Sequence, residues 1–368
     1  MTTFITRFDT KGDGVRLAVK DLLDMEGVPT TAGSRSLADV AQPAERDAPC
    51  LAGARAAGAR IVGRTNLHEL ALGGTGVNPW FGTPVNPLDP RRVPGGSSSG
   101  SAVAVATDEA DVAIGSDTGG SVRIPSACCG TAGLKTTWGR VSTEGVWPLA
   151  PSLDTIGPMA RDVAGLTTGM ALLEPGFTVT AAAPSVVGYL ADPSADPEVS
   201  AAVERALAAT GWEVVEVELA AWEEVPPLAA VIVIKEAFAS DGALLAARPD
   251  GISPAVAELI RGGEHVTEAQ LAAAKAAADR LRAALSDLFS RVELLATPTL
   301  PRFAPLLDDE EDLDIFRHML PVNLAGVPAL ALPVPTPGAL PASLQLVGPW
   351  EAEAALLAAG AVVEAAVA

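Results

Sequence analysis

The stretch DVAIGSDTGGSVRIPSACCG, Asp111 to Gly130, determines the fold around the candidate site, because a strand, a glycine turn and a helix follow one another within it. The apolar run DVAIG predicts a buried strand, and SVRIPSACCG predicts a helix that begins near Ser121. Unpaired backbone N–H groups in the turn GSDTGG can hold an oxyanion beside the Ser121 hydroxyl. We therefore interpret Ser121 as a candidate nucleophile, with a helix N-cap serine as the structural alternative.

Two features nearer the start of the chain suggest how such a serine would be activated. A second small-residue turn, GGSSSGS, spans Gly95 to Ser101, and the short apolar strand VRLAVK ends at Lys20. A buried lysine whose pKa is lowered toward neutrality can accept a proton from a serine hydroxyl. The alternative for Lys20 is a strand-end lysine whose amine reaches water, and Lys135 in GLKTTWGR is the rival base.

The histidines offer weaker support for a triad of serine, histidine and acid. Each lies in a segment without a convincing site, and they are His68, His265 and His318. The residues that flank the glycine turn carry opposite charges, and we expect Asp117 and Arg123 to pair and hold the turn. The sequence therefore favours a pair of serines with a lysine base.

The composition excludes several classes of function. With 45 acidic and 25 basic residues, the formal net charge of −20 repels nucleic acid, so we expect no nucleic-acid partner. No apolar run approaches the length of a membrane span and the start of the chain does not resemble a signal peptide, which predicts a cytoplasmic protein without a membrane partner. The cysteines, Cys50, Cys128 and Cys129, suit neither disulfides nor a metal site and are expected to be reduced and buried.

Apolar patterning along the chain predicts alternating strands and helices in one α/β domain. Residues 184–219 predict a strand, a helix and a strand, and residues 254–290 predict further helices. We also expect a helix from about Pro43 to Ala59, buried strands at VELLATPTLP and VPALALPVP, and a packing helix at the C-terminal end. The long loop at 72–100, rich in Gly, Pro, Asn and Ser, is expected to be functional.

Long blocks of this sequence resemble the amidase signature family. The matching text includes NPLDPRRVPGGSSSGSAVAVA, IGSDTGGSVRIPSACCGTAGLKTTWGRVSTEGVWPLAPSLDTIGPMARDV and PVNLAGVPALALPV, with the shorter AVKD, TTAGS, GRTN, TPTLP and LPASLQLVGP. The resemblance implies an α/β/α sandwich whose central mixed β-sheet is covered by helices. It implies a single amidase domain over 1–368, with a catalytic core at 1–172, a variable substrate-side segment at 173–291, and C-terminal strands and a helix at 292–368.

By position, the resemblance also implies the roles of individual residues. Ser121 would be the acyl-forming nucleophile, Ser97 a bridging serine that follows a cis peptide bond, and Lys20 the base. The oxyanion hole would consist of the backbone N–H groups of Thr118, Gly119, Gly120 and Ser121. Supporting residues would be Asp117, Arg123 and Ser98, and neither a metal nor an organic cofactor is implied.

The function implied is hydrolysis of a small carboxamide to a carboxylate and ammonia or an amine through an acyl-enzyme. The alternatives are an amidotransferase A-like subunit that works with a partner, and a noncatalytic protein with the amidase fold. A homodimer is left open, and Trp80, Phe81 and Trp147 near predicted pocket loops suggest an apolar or aromatic acyl group. Because family members usually carry a helical leader before the lysine strand, we expect part of that scaffold to be absent or replaced here.

Overall fold

A computed structural model describes residues 2–309 and 313–368, and these residues contain one sheet of eleven strands. The strands are β1 (Phe4–Arg7), β2 (Arg16–Lys20), β3 (Arg60–Thr65), β4 (Val112–Ser116), β5 (Ala132–Lys135), β6 (Ile156–Ala160), β7 (Val186–Tyr189), β8 (Glu213–Glu216), β9 (Leu294–Pro298), β10 (Ala329–Val334) and β11 (Ala342–Val347). Their order across the sheet is β1-β3-β2-β4-β6-β5-β10-β11-β9-β7-β8. All three predicted segments of the chain thus contribute strands to the same sheet.

The helices lie on the faces of this sheet and in the segment between β8 and β9. They are α1 (Arg35–Ala38), α2 (Ala52–Ala56), α3 (Ser99–Ala106), α4 (Arg123–Cys129), α5 (Val163–Leu173), α6 (Pro197–Ala209), α7 (Ala220–Ala247), α8 (Pro254–Glu264), α9 (Glu268–Phe289), α10 (Leu320–Ala325) and α11 (Glu353–Val367). Parallel and antiparallel neighbours both occur in the sheet. The predicted mixed α/β architecture is confirmed.

Strand β4 shows how the sheet is covered on both faces. Its side chains alternate in direction, as they do in every strand. Val112 packs against α5, where a Cβ atom on Gly169 would lie 3.0 Å from its Cγ1 atom. Ala113 belongs to the core cluster that includes Ala102 of α3. Since both faces are buried against helices, β4 is apolar along its length rather than alternating with polar residues.

The parallel arrangement of β2 and β4 positions the candidate site. Val19 of β2 is the register partner of Ile114 of β4. Parallel neighbours point their carboxyl ends toward the same edge of the sheet, which is where ligands bind in open α/β sheets. Lys20 and Ser116, the last residues of these two strands, therefore lie next to each other.

Most elements predicted from the sequence are present, and two differ. The predicted strand, helix and strand at 184–219 are β7, α6 and β8, and the two strands pair in parallel. The predicted helix from about Pro43 to Ala59 is wrong in extent: a 3-10 turn at Pro49–Leu51 leads into the short α2. Proline at position 49 has no N–H to donate and therefore tolerates only the first turn of a helix. The 28-residue α7 was not predicted, and it contains Pro226 and Pro227 near its start.

Two further features of the described residues bear on function. Among them, no helix combines the length and the apolar character that crossing a membrane requires. In the same part of the chain, no group of three or more histidine, cysteine, aspartate or glutamate side chains is arranged to hold a metal ion.

Candidate active site

Lys20 ends β2 with its side chain fully buried. Its Nζ atom is 2.7 Å from the Ser97 Oγ atom and 2.8 Å from the Ser116 Oγ atom. Burial lowers the pKa of Lys20 to about 7, although the negative charges of Asp117 and Asp154 oppose this shift. A substantial fraction of Lys20 is therefore neutral near pH 7, within hydrogen-bond distance of two hydroxyls.

The turn before α3 places Ser97 through backbone contacts that only glycine permits. The peptide bond between Gly96 and Ser97 is cis, as the resemblance implies. A Cβ atom on Gly96 would lie 2.7 Å from the Gly76 backbone nitrogen, and one on Gly95 would lie 2.7 Å from the Cα atom of Pro125. The backbone of this turn therefore packs directly against α4 and against the loop at Gly76.

Ser121 lies in the second turn, between β4 and α4, and is 5% exposed. The Ser98 N–H donates to the Ser121 carbonyl oxygen at 3.2 Å, so the two serine turns are joined by their backbones. Gly120 has φ of +114°, a conformation that favours glycine. The structure thus brings Lys20, Ser97 and Ser121 into one buried neighbourhood.

The four N–H groups expected to form an oxyanion hole are of two kinds. The Gly120 N–H donates to Asp117 Oδ1 at 2.9 Å and is already paired within the protein. Within the described residues, no protein acceptor receives a hydrogen bond from the N–H of Thr118, Gly119 or Ser121. Three of the four expected donors are therefore free to face a ligand oxygen.

A buried ion pair between Asp117 and Arg123 holds this turn, as the flanking charges predict. Arg123 donates from Nη2 to Asp117 Oδ1 at 2.9 Å and from Nε to Oδ2 at 3.0 Å. Asn323 Nδ2 donates to Asp117 Oδ1 at 2.8 Å, and Arg123 Nη1 donates to Gln345 Oε1 at 2.8 Å. Burial by itself raises the pKa of Asp117, but the Arg123 guanidinium holds it well below its usual range. The carboxylate therefore stays ionised and orients the turn.

A second buried carboxylate, Asp154, contacts the same turn from another loop. Thr118 Oγ1 donates to Asp154 Oδ1 at 2.6 Å, and two backbone N–H groups of the loop before Asp154 also donate to it. Burial raises the pKa of this carboxyl group. Ser98, expected to have a supporting role, donates its hydroxyl to the Ser116 carbonyl oxygen at 3.3 Å. These contacts position the backbone around the three candidate residues.

Lys135, the rival base, has different neighbours. It is also fully buried, and burial lowers its pKa to about 7. Its Nζ atom donates to the carbonyl oxygens of Thr136 and Val327, each at 3.0 Å. Its hydrogen-bond partners are therefore backbone acceptors rather than serine hydroxyls.

The histidine alternative has no support in the geometry. His318 Nε2 lies 2.9 Å from Asp192 Oδ2, and its Nδ1 accepts a hydrogen bond from Trp222 Nε1 at 3.3 Å. Because an indole only donates, this imidazole carries its proton on Nε2 and is neutral. The half-buried His68 ring is hydrogen-bonded to Thr75 Oγ1 at 3.3 Å. Among the described residues, no histidine ring is hydrogen-bonded to either candidate serine.

Three residues of this neighbourhood were not identified from the sequence. Ser116 contacts Lys20, Asp154 contacts the turn at Thr118, and Asn323 contacts Asp117. Ser116 directly follows the buried run DVAIG, so its place at a strand end was visible, but its contact with Lys20 depends on the order of the strands. Asn323 lies about two hundred residues further along the chain, at a separation that local patterns do not address.

With this geometry established, the comparisons with known proteins identify the family. The sequence matches the family model described as Amidase over residues 12–174 and 177–357. The chain belongs to the amidase family. The resemblance to amidase signature enzymes is thereby confirmed, and this amidase is an enzyme that acts on amide C–N bonds.

Named relatives and a solved structure agree with this assignment. The amidase is 35% identical to a glutamyl-tRNA(Gln) amidotransferase subunit from Halobacterium salinarum, over 99% of each chain. It is 37% identical to the subunit of the same name from Thermus thermophilus, over 96% of this chain and 85% of that one. A solved structure described as an amidase superimposes with a TM-score of 0.89 at 36% identity, covering 96% of this chain and 85% of that chain.

Proposed function

We propose that this amidase hydrolyses a carboxamide through an acyl-enzyme formed on Ser121. Neutral Lys20 accepts a proton from Ser97, and Ser97 accepts one from Ser121 as the Ser121 oxygen attacks the amide carbon. The proton then returns along the same path to the leaving nitrogen, so the C–N bond breaks and ammonia or an amine departs. Water attacks the ester by the same route, which releases the carboxylate.

The proposal rests chiefly on one observation, the 2.7 Å contact between Lys20 Nζ and Ser97 Oγ. A lysine serves as a base only if its neutral form is populated, and the pKa of about 7 meets that condition. The link from the Ser98 N–H to the Ser121 carbonyl supports the next step, because it holds the nucleophile turn beside the bridging serine.

The backbone N–H groups of Thr118, Gly119 and Ser121 are the proposed donors to the tetrahedral oxyanion. Each such donor stabilises the transition state by about 3 kcal/mol in comparable hydrolases. Gly120 is left out of this set because its N–H donates to Asp117. Asp117 therefore acts through the turn, by keeping the remaining donors oriented.

A second candidate function is that of the amidase component of a glutamyl-tRNA(Gln) amidotransferase, in which released ammonia passes to a partner. The amidotransferase relatives, at 35% and 37% identity, favour it. The chemistry at Ser121 is the same in both cases, and the difference lies in where ammonia goes. The buried, unpaired cysteines support a cytoplasmic location for either function.

Ammonia release by the wild type and by Ser121→Ala tests the proposal. We expect the substitution to lower turnover of a primary amide panel by about 10⁴-fold or more, because the nucleophile is lost. Ser126→Ala is the matched control, since Ser126 is a buried serine of α4 whose hydroxyl has no hydrogen-bond partner among the described residues. Wild-type rates in Ser121→Ala would overturn the assignment of the nucleophile.

The same assay separates the two candidate functions. Ammonia release from simple amides by the isolated chain supports the autonomous hydrolase. Release that requires glutamine, glutamyl-tRNA(Gln) and further protein components supports the amidotransferase function. Mass spectrometry of the protein incubated with an activated acyl probe would place the acyl group on Ser121 in either case.

A further inference from the structure

Asp241 in α7 is a buried carboxylate with an incomplete set of hydrogen bonds. Its side chain is 0% exposed, and its Oδ1 atom accepts a hydrogen bond from Trp147 Nε1 at 3.0 Å. Its Oδ2 atom is also buried and has no partner among the described residues. Buried polar atoms are almost always paired, so an unpaired carboxylate oxygen in this position calls for an explanation.

The surroundings of Asp241 are negative rather than compensating. Burial and the charges of Glu69 and Asp154 raise the pKa of Asp241 to about 7, against the hydrogen bond from Trp147. Glu69 is itself buried, and the donors to it are the Ser34 hydroxyl, an indole N–H and a backbone N–H. No ion pair within the described residues includes any of these three carboxylates. The protein thus surrounds this space with acceptors and supplies no cation.

Three contacts place this space beside the candidate active site. The backbone N–H of Trp147 donates to the carbonyl oxygen of Leu22, two residues after Lys20. Asp154 accepts the hydroxyl of Thr118 in the oxyanion turn. Glu69 follows His68, whose backbone N–H donates to the Ser97 carbonyl oxygen.

Asp241 therefore approaches the serine and lysine cluster from α7. This helix belongs to the segment at 173–291, which we expected to vary with the substrate. A cation delivered by a ligand would supply both the missing donor and the missing charge, whereas a neutral ligand would leave the buried carboxylates uncompensated.

We propose that Asp241 binds an ammonium group of the substrate, so that the preferred substrates are amides whose acyl chain carries a primary amine. This inference rests on the proposed function and names the substrate class of the same site. The Oδ2 atom accepts the ammonium N–H, and Trp147 holds the carboxylate in place through Oδ1. Glu69 and Asp154 add long-range attraction without contacting the ligand.

A paired series of amides tests this specificity. Ammonia release is measured at about pH 7.5 for ω-amino amides from glycinamide to 6-aminohexanamide, each against the alkanamide in which methyl replaces ammonium. We expect the wild type to prefer the amino amide of the best chain length by about 100-fold in kcat/KM. Asp241→Asn should reduce that preference to a few-fold, mainly by lowering kcat/KM for the amino amide. Glu236→Gln, which removes a partly buried carboxylate of the same helix, should leave it unchanged.

A binding measurement keeps this inference separate from the proposed chemistry. Calorimetry with the Ser121→Ala variant and the same amino amides does not require turnover. Binding that is lost when Asp241→Asn is added supports the ammonium site even if no amide is hydrolysed, and that combination would overturn the proposed function alone. Equal affinity or equal turnover for amino amides and alkanamides in the otherwise unmodified chain would overturn the ammonium site, and so would a preference that survives in a folded Asp241→Asn variant.

Discussion

Lys20 and Lys135 occupy similar positions in two regions of the sheet. Lys20 is the last residue of β2, Lys135 is the last residue of β5, and both side chains are fully buried. Burial lowers the pKa of each to about 7. The difference lies in their partners, which are two hydroxyls for Lys20 and two backbone carbonyls for Lys135.

That difference decides which lysine can act as a base. A hydroxyl can donate to a neutral amine, whereas a carbonyl oxygen can only accept. Neutral Lys20 can therefore receive a proton from Ser97, while Lys135 has a structural role in which its N–H groups pair two backbone oxygens. A lowered pKa is thus insufficient to identify a catalytic lysine, and the chemistry of its hydrogen-bond partners is also needed.

Substituting the two lysines in parallel tests this comparison most directly. We expect Lys20→Met to lower kcat/KM for amide hydrolysis by about 10³-fold or more, because Ser97 loses its proton acceptor. Lys135→Met should keep activity within about tenfold of the wild type in the fraction that folds, although it leaves two buried carbonyls unpaired. Ammonia release normalised to folded protein measures both, and equal losses in the two variants would remove the distinction.

The pH dependence of the wild type provides a second test. Only the neutral form of Lys20 accepts a proton, so kcat/KM should rise about tenfold per pH unit below pH 7 and level off above it. The measurement is the rate of ammonia release between about pH 5 and pH 9 with a substrate that does not titrate in that range. A rate that is independent of pH across 7, or that falls as pH rises through it, would contradict a lysine base with this pKa.

The smallest expected effect concerns Ser116, which we interpret as a positioning residue for Lys20. Its hydroxyl accepts a hydrogen bond from the ammonium form, and such a bond favours the charged state. Ser116→Ala should therefore lower kcat several-fold and move the midpoint of the pH profile to lower pH. Ser101→Ala, which removes another buried serine hydroxyl near the sheet, should leave that midpoint in place. An unchanged midpoint in Ser116→Ala would show that Ser116 does not tune the base.

Local patterns were sufficient to predict the parts of the site that lie within single segments. The turn at Gly119 and Gly120 follows an apolar strand and precedes a helix, which are features that periodicity and glycine content reveal. The prediction of Ser97 and Lys20 depended on the resemblance to a family and on the short supply of lysines. The extent of the helix after Pro43 was wrong, and α7 was missed, since tertiary packing overrides local preference in both places.

The contacts between segments could not be predicted in the same way. Asp154, Asn323 and Asp241 approach the turn or its neighbours from distant positions in the chain. Neither charge nor spacing in the sequence separates Asp241 from other acidic residues of the segment at 173–291. Its burial and its unpaired oxygen become visible only when α7 is packed against the loop that holds Trp147.

The sequence by itself determined the apolar strands, the two glycine turns and the serines within them, because these depend on residues a few positions apart. The tertiary structure alone decided which lysine meets a hydroxyl, since Lys20 and Lys135 end similar strands. The outcome follows from the order of the strands: β2 pairs in parallel with β4 and directs Lys20 to Ser116, whereas β5 pairs with β10 and directs Lys135 to backbone carbonyls. Strand order arises from pairing between distant segments, and no local pattern encodes it.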